Sequence, residues 1–311
     1  MTQKRAFVTE LQDAKVPAKM ATKALGLPRS SLYYQTKPRE KKKTVKPLDP
    51  ALNKRLNSLK DHELTLGYRK TAAYINAEET APFNHKKVYR HMKALKLLQP
   101  KNIRKPKLKK HSKVLAYCPL KSNVRWEADL TLVPSESGFL YLFTVIDVFD
   151  KEVIGSYFGV RCRCSEAIES LEEAVHSRFP EGQAPPSLAL TLRLDRGCQF
   201  TAESFVQSAS KFGLLVEFCD VQAPNQKPFV EAFFSNFKRE EVYRNHYQNP
   251  IQAFRSWQSY LSWYNEKRPH SALGFLSPVQ FRKSQLQKSQ LHQSTFFRKE
   301  DSLESLADSQ R

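Results

Sequence analysis

The sequence predicts an α/β protein in which a mixed five-stranded sheet domain is preceded by two all-α helix-turn-helix units. Three observations carry that prediction. Apolar residues recur at helical spacing as far as about residue 100 and in strand-like runs from 124 onward. Charge divides at nearly the same place, with 31 Lys and Arg against 8 Asp and Glu in residues 1–125, but 20 against 23 in residues 126–311. The strand-rich part also sets three acidic residues on or beside otherwise apolar elements. At 311 residues, the chain is long enough for a large domain with a real core and smaller units beside it.

Composition narrows the partners. The net charge of +20 is confined to the first 125 residues, so one part is built to meet a polyanion and the other is not. A polybasic segment also suits anionic lipid, but no amphipathic or lipidated anchor accompanies this one, and nucleic acid is the expected partner. No apolar run approaches the ~18 residues of a membrane span, and "MTQKRAFVTELQ" lacks the apolar core of a signal peptide. The expectation is a cytoplasmic, nucleoid-associated protein with no membrane partner. Five cysteines (Cys118, Cys162, Cys164, Cys198 and Cys219) include no CxxC pair, so neither a disulfide framework nor a zinc ribbon is indicated.

The elements follow in order. In "VPAKMATKALGLPRSSLYYQ", Met20, Ala21, Leu25 and Leu27 give an apolar helix face, Gly26 ends the helix, and "PRSSLYY", which includes Arg29, opens a second short one. This is a first helix-turn-helix, over 1–36. Proline and lysine then make 37–56 a basic linker. A second helix-turn-helix spans 57–100, where Ala72, Ile75, Val88, Met92 and Leu95 recur at helical spacing. Asn84 caps its last helix, which displays His85, Lys86, Lys87, Arg90 and Lys93 for contact with phosphates. The alternative is a small bundle with a solvated basic face. Residues 101–122 form a second basic linker, in which Arg104 and Lys105 belong to a strap of seven basic residues at 101–113.

From 123 to 283 the pattern is that of the sheet domain. "VRWEADLTLV", "FLYLFTVIDVF" and "EVIGSYFGV" read as an antiparallel meander. A helix over 165–179, capped by Ser165, a strand "SLALTLRLD", a helix, a strand "LLVEFCD" and a helix from 228 complete a mixed α/β sheet, and a last helix covers 250–266. The Gln- and Ser-rich end, 284–311, is expected to be disordered.

Asp129 interrupts the first strand, Asp195 ends the fourth, and Glu231 opens an apolar helix whose Val230, Phe233, Phe234 and Phe237 must face the core. At ~100° per residue, Glu231 and Lys238 share one flank of that helix, two turns apart. Two readings stay open for the acids. They are capping or surface acids, or they converge on a pair of hard divalent cations, which would also answer the cost of placing charge on buried elements. Asp147 competes for such a role, but "DVFDK" is a good turn and a structural role suits it better.

"WEADLT", "LDRGCQF" and "VEAFFSNFKRE" resemble the three acidic motifs of insertion-sequence transposases, and 35 residues separate Asp195 from Glu231, the spacing of the DD(35)E integrases and transposases. "WYNEKRPHSALGFLSP" is similar to the closing signature of the IS-three family, and "GYRK…NHKKVYRHMK" to the helix-turn-helix that precedes the catalytic domain in its second-frame (OrfB) proteins. The matches run in order over about residues 57–281. Gln226 and Lys227 stand where the family has an acid and an amide, and "RLD" replaces its usual "HSD". The resemblance implies an RNase H-like catalytic domain and a bacterial DDE transposase that binds terminal inverted repeats and cuts and joins DNA. It implies that Asp129, Asp195 and Glu231 bind two Mg²⁺, with Mn²⁺ able to substitute, and that Lys238 holds terminal DNA. It also implies transposon ends and target DNA as partners, a homo-oligomer of at least two chains, and the upstream-frame fusion partner often made with such proteins. A non-catalytic derivative that occupies ends without cutting is the rival reading, and the complete acidic trio argues against it.

Overall fold

The structure, a computed structural model, describes residues 2–33, 47–100, 118–220 and 226–288. Arg104, Lys105 and the tail from 289 lie outside the described residues. The chain divides into two compact units, 1–48 and 49–311.

The first unit holds α1 (Thr2–Asp13), α2 (Ala18–Ala24) and α3 (Ser30–Tyr33). Gly26 follows α2 at φ +62°, the left-handed conformation that stops a helix at low cost in glycine. Val8, Ala21 and Thr22 are buried. Met20, expected on the apolar face, is exposed because Ala21 and Thr22 form the buried flank of this short helix.

The second unit begins with α4 (Pro50–Asn57), a 3₁₀ turn at Asp61–Thr65, α5 (Tyr68–Asn76) and α6 (His85–Ala94). Asp49 caps α4 by accepting from the Ala51 and Leu52 N–H groups, with Pro50 at the first helical position. Asn84 caps α6 by accepting from the Lys86 N–H at 2.8 Å. Leu52, Leu56, Ala72, Ile75, Val88 and Met92 form the core of this bundle. Leu66 belongs instead to the core of the sheet domain, and His62 packs edge-on against Tyr260, with Nδ1 3.0 Å from Glu241 Oε2.

The sheet domain follows as β1 (Arg125–Ser135), β2 (Gly138–Asp147), β3 (Val153–Gly159), α7 (Cys164–Arg178), β4 (Thr191–Leu194), α8 (Cys198–Thr201), α9 (Glu203–Lys211), β5 (Leu215–Phe218), α10 (Pro228–Glu240) and α11 (Pro250–Glu266). The strand order is β3-β2-β1-β4-β5. β1, β2 and β3 pair antiparallel, whereas β4 and β5 join β1 in parallel, the mixed five-stranded sheet expected from the sequence. Helical turns at 278–288 run past the 283 limit set for the domain.

Two elements differ from expectation. α7 starts at Cys164, so Arg163 rather than Ser165 occupies the cap position. Glu166 reaches back to accept from the Arg163 N–H at 2.8 Å, and this closes the first turn. β4 begins only at Thr191, because Pro186–Leu188 form a 3₁₀ turn and Ala189 sits at φ 45°.

Alternation along the strands gives the sheet two buried faces. Trp126, Ala128, Phe143, Val145, Leu192 and Leu194 meet the helices α7 to α9 on one side. Gly155 lets α7 lie directly on β3, since a Cβ there would collide with the Ser170 carbonyl and Ala174. On the other side Val133, Leu140, Leu142 and Ile146 pack against α10 and α11 through Val230, Phe233, Phe234, Phe237, Trp257, Tyr260 and Tyr264. Each fully buried side chain of this size stabilises the fold by about 1.5–3 kcal/mol. Among the described residues, no helix is long and apolar enough to cross a membrane.

Candidate active site

The strand ladder sets the site. β1 and β4 run parallel with Trp126 opposite Leu192 and Glu127 opposite Arg193. Two residues further along that register, Asp129 comes beside Asp195, just where β4 has ended, on strands spaced about 4.8 Å apart. The alternation that buries Trp126 and Ala128 against α7 turns Glu127 and Asp129 toward α10.

Both aspartates close on one cationic atom. Lys227 Nζ lies 2.9 Å from Asp129 Oδ1 and 3.1 Å from Asp195 Oδ2, and it donates to the Ala128 carbonyl at 3.3 Å. The other Asp195 oxygen accepts from the Gly197 N–H at 2.9 Å, so this residue caps its turn as well as facing the site. Glu127, buried behind them, accepts from the Phe229 and Val230 N–H groups at 3.0 and 2.9 Å and so holds the first turn of α10, which carries Glu231 at the surface.

The electrostatics tie these groups together. Burial pushes the Glu127 carboxyl up to about 7, against the pull of the two N–H groups. Burial also raises Asp129, assisted by the Asp195 charge and opposed by Lys227. For Asp195 burial acts upward too, but Lys227 and the Gly197 N–H outweigh it and the carboxyl is lowered. Lys227 itself is raised, since the Asp129 and Asp195 carboxylates overcome its desolvation. Glu231 is raised by burial and then by the charge of Asp129, which places it in the field of the same site.

Sequence reasoning singled out Asp129, Asp195 and Glu231 but not Lys227, Glu127 or Arg193. The two departures from the family pattern meet at this point. Arg193 donates to the Gln226 carbonyl at 3.0 Å and to Glu217 Oε1 at 2.5 Å, while the Gln226 side chain bridges the Asp220 N–H at 2.8 Å and Asp220 Oδ2 at 2.7 Å. Glu127 was legible in principle, being two residues before Asp129 and therefore on the same strand face.

The other candidates are distributed. Asp147 is fully buried at the end of β2 and accepts from the Asn123 and Phe149 N–H groups, both at 2.8 Å, in a structural role. Lys238 is half-buried, two turns beyond Glu231, and makes no ion pair among the described residues. On α6, His85 and Lys86 are exposed and Arg90 half-buried, whereas Lys87 is engaged with Asp49 Oδ2 at 2.5 Å and lies over the Phe83 ring. Arg29 is exposed in the first unit. Beyond Lys238, a cleft of about 810 Å³ is lined by Tyr68, Arg69, Lys70, Arg239, Tyr243, Arg244 and Phe275, among others. Burial there, reinforced by the Arg268 charge, lowers the Lys70 ammonium to about 8.

Among the described residues no three metal-ligating side chains form a ready-made cluster. The donor chemistry nonetheless fits a hard divalent ion. Carboxylate oxygens from two strands already converge on a single cation, the Lys227 ammonium, and Glu231 supplies a third carboxylate in the same field. Asp129, Asp195 and Glu231 are the residues that would hold Mg²⁺ or Mn²⁺.

Comparison with known proteins bears on the family of the chain. Models described as integrase core domain match residues 119–224 and 213–278, and one described as HTH-like domain matches 51–107. The chain is similar to an insertion element IS407 protein of Burkholderia multivorans, at 26% identity over 87% of this chain and 92% of the relative. It is similar to the transposase for insertion sequence element IS904 of Lactococcus lactis, at 27% identity over 52% of this chain and 62% of that protein. With an insertion element IS136 protein of Agrobacterium fabrum it shares 30% identity over 52% of this chain and 84% of the relative. Among solved structures, the HTLV-2 integrase catalytic core domain in complex with magnesium aligns with a TM-score of 0.39 and 16% identity, over 52% of this chain and 98% of that one. An integrase core behind an HTH-like domain, together with 30% identity across most of an insertion-element protein, means that the chain belongs to the insertion-element transposases of the IS-three type, which are DDE polynucleotidyl transferases.

Proposed function

We propose that this transposase binds the terminal inverted repeats of its element, cuts there to leave a 3′-hydroxyl, and joins that hydroxyl to a target phosphodiester. Asp129, Asp195 and Glu231 hold two Mg²⁺, or Mn²⁺ in their place. The observation that carries this reading is the convergence of Asp129 and Asp195 on one cation, with Glu231 in their field. Bound there, the ions supply charge neutralisation at the attacked phosphate and activation of the attacking oxygen.

The chain's own residues position the DNA. Glu127 fixes the first turn of α10 and so the place of Glu231. Lys238 lies roughly 10 Å further along the helix axis, at 1.5 Å per residue, where its ammonium meets a phosphate of the entering strand. Arg239, Lys70 and Arg244 continue that track into the cleft, where Tyr68 and Tyr243 offer faces for bases. Arg29, His85, Lys86, Lys87 and Arg90, with Arg104 and Lys105, supply duplex contacts, and at least two chains bring two ends together. Incubation of the protein with a labelled duplex of the element's own terminus, in Mg²⁺, in Mn²⁺ and without metal, tests the reading. Nicked 3′-hydroxyl ends and joined products should appear only with metal. Tight binding of the duplex with no product under any condition would favour the end-occupying rival instead.

A further inference from the structure

The positive charge at the centre of the acid pair comes from the chain itself. Lys227 is buried at 6% exposure, and its ammonium spends its three donors on Asp129, Asp195 and the Ala128 carbonyl. We propose that Lys227 is an internal cation that occupies the metal position in the metal-free protein and is displaced when a divalent ion binds, so that it sets the affinity of the site for metal.

An ammonium and a divalent cation cannot share the same pair of carboxylate oxygens. Without either, Asp129 and Asp195 are two like charges on neighbouring strands, so a resident cation stabilises the empty site. The surroundings suit an exchange of side chain rather than of backbone. The Gln226 carbonyl is anchored by Arg193 and the Gln226 side chain by Asp220, while Lys227 itself stands at the cap of α10 on a flexible four-carbon stem. Glu231 is exposed and has no ion pair among the described residues. It is the carboxylate the ammonium leaves out, ready to complete the ligand set once Lys227 swings away. Arg193 and Lys227, both departures from the family pattern, thus act as one device.

This inference rests on the reading of Asp129 and Asp195 as metal ligands, and the two are tested separately by titrating the full-length protein with Mn²⁺ in the absence of DNA, by calorimetry. Lys227→Met and Lys227→Asn should bind Mn²⁺ at least about tenfold more tightly than wild type, the loss of one charge-assisted competitor. Their metal-free melting temperatures should fall, and Mn²⁺ should raise them by more than it raises wild type. Lys227→Arg, which keeps the charge, should bind no more tightly than wild type. Asp129→Asn should abolish binding. Equal or weaker affinity in both neutral variants, with binding lost in Asp129→Asn, would overturn the role of Lys227 and leave the ligand reading standing. Wild-type affinity in Asp129→Asn, or no binding by any form, would overturn both. If Lys227→Met fails to fold, Lys227→Asn alone decides.

Discussion

Asp195 shows how far a single residue is legible. As the acid of a Leu-Asp-Arg-Gly turn it is expected to cap that turn, and one carboxylate oxygen does; the other faces the cation. The sequence offered capping and metal binding as alternatives; in the structure one oxygen caps the turn and the other meets the Lys227 ammonium. Helix periodicity sets Lys238 on the flank of Glu231, seven residues further along, and the family resemblance supplies its expected contact with DNA. If it contacts the entering strand, Lys238→Ala should slow end cleavage by a factor of about ten or more, the loss of one charge-assisted contact, and Lys238→Arg should recover part of it. Unchanged cleavage in Lys238→Ala, with circular dichroism showing equal folding, would make it a solvated surface lysine. Lys227 was not legible. Its charge reads from the sequence as a missing acid-amide pair, and only the parallel register of β1 and β4 shows two aspartates near enough to hold it.

At the scale of the element, α10 is held at both ends. Glu127 receives its first N–H groups, and near its last turn Glu240 accepts from Arg268 Nε and Nη2, both at 2.7 Å, in a pair that is almost fully buried. The closing signature is therefore the clamp of α10. Arg268 grips Glu240, Tyr264 packs edge-on against Phe233 at 4.8 Å, and Asn265 bonds both main-chain groups of Val153. Periodicity revealed α10 and α11, but the partner of Arg268 lies 28 residues earlier, and no local pattern points to it. Arg268→Met should destabilise the domain by about 3 kcal/mol, because the buried Glu240 loses its two-point partner and keeps only the Arg239 guanidinium at 2.8 Å and the Tyr260 hydroxyl at 3.2 Å, whereas Arg268→Met with Glu240→Leu should recover much of that in urea unfolding. Equal losses in the single and double variants would mean that the pair is not the clamp.

His270 adds a pH dependence to the same clamp. Burial, followed by the Arg268 and Lys70 charges, holds its imidazole well below the ordinary value, and Arg268 Nη1 donates to its Nε2 at 3.1 Å. The unfolded chain thus takes up a proton near pH 6.5 that the folded one refuses, so stability is full above about that pH and is lost as the pH falls through it. His270→Gln, which still accepts from Arg268, should flatten the decline in melting temperature between about pH 7 and 5.5. An unaltered slope would assign the acid loss to other groups.

For the molecule as a whole, charge and packing divide the chain differently. Charge separates residues 1–125 from the rest, but packing joins 49–100 to the sheet domain through Leu66 and His62 and leaves 1–48 as its own unit. The basic half was legible from composition, whereas the docking of the second helix-turn-helix was not, since it depends on His62 in a short 3₁₀ turn and Leu66 just after it. A fragment of residues 49–311 should therefore melt as one cooperative unit, and one of residues 123–311 should melt at lower temperature and bind DNA weakly. The full chain should bind DNA with a steep salt dependence, each phosphate contact adding about −0.9 to the log-log slope. Equal melting temperatures for the two fragments, or a flat salt response, would contradict this division. The central claim is that three carboxylates on β1, after β4 and on α10 form one catalytic metal site, and the most direct measurement is cleavage and joining of a labelled element end in Mg²⁺ by Asp129→Asn, Asp195→Asn and Glu231→Gln beside the wild-type protein. Each variant keeps its shape and loses an anionic ligand, so each should bind the end as wild type does and yield no product; near wild-type cleavage by any one of them would remove that residue from the site.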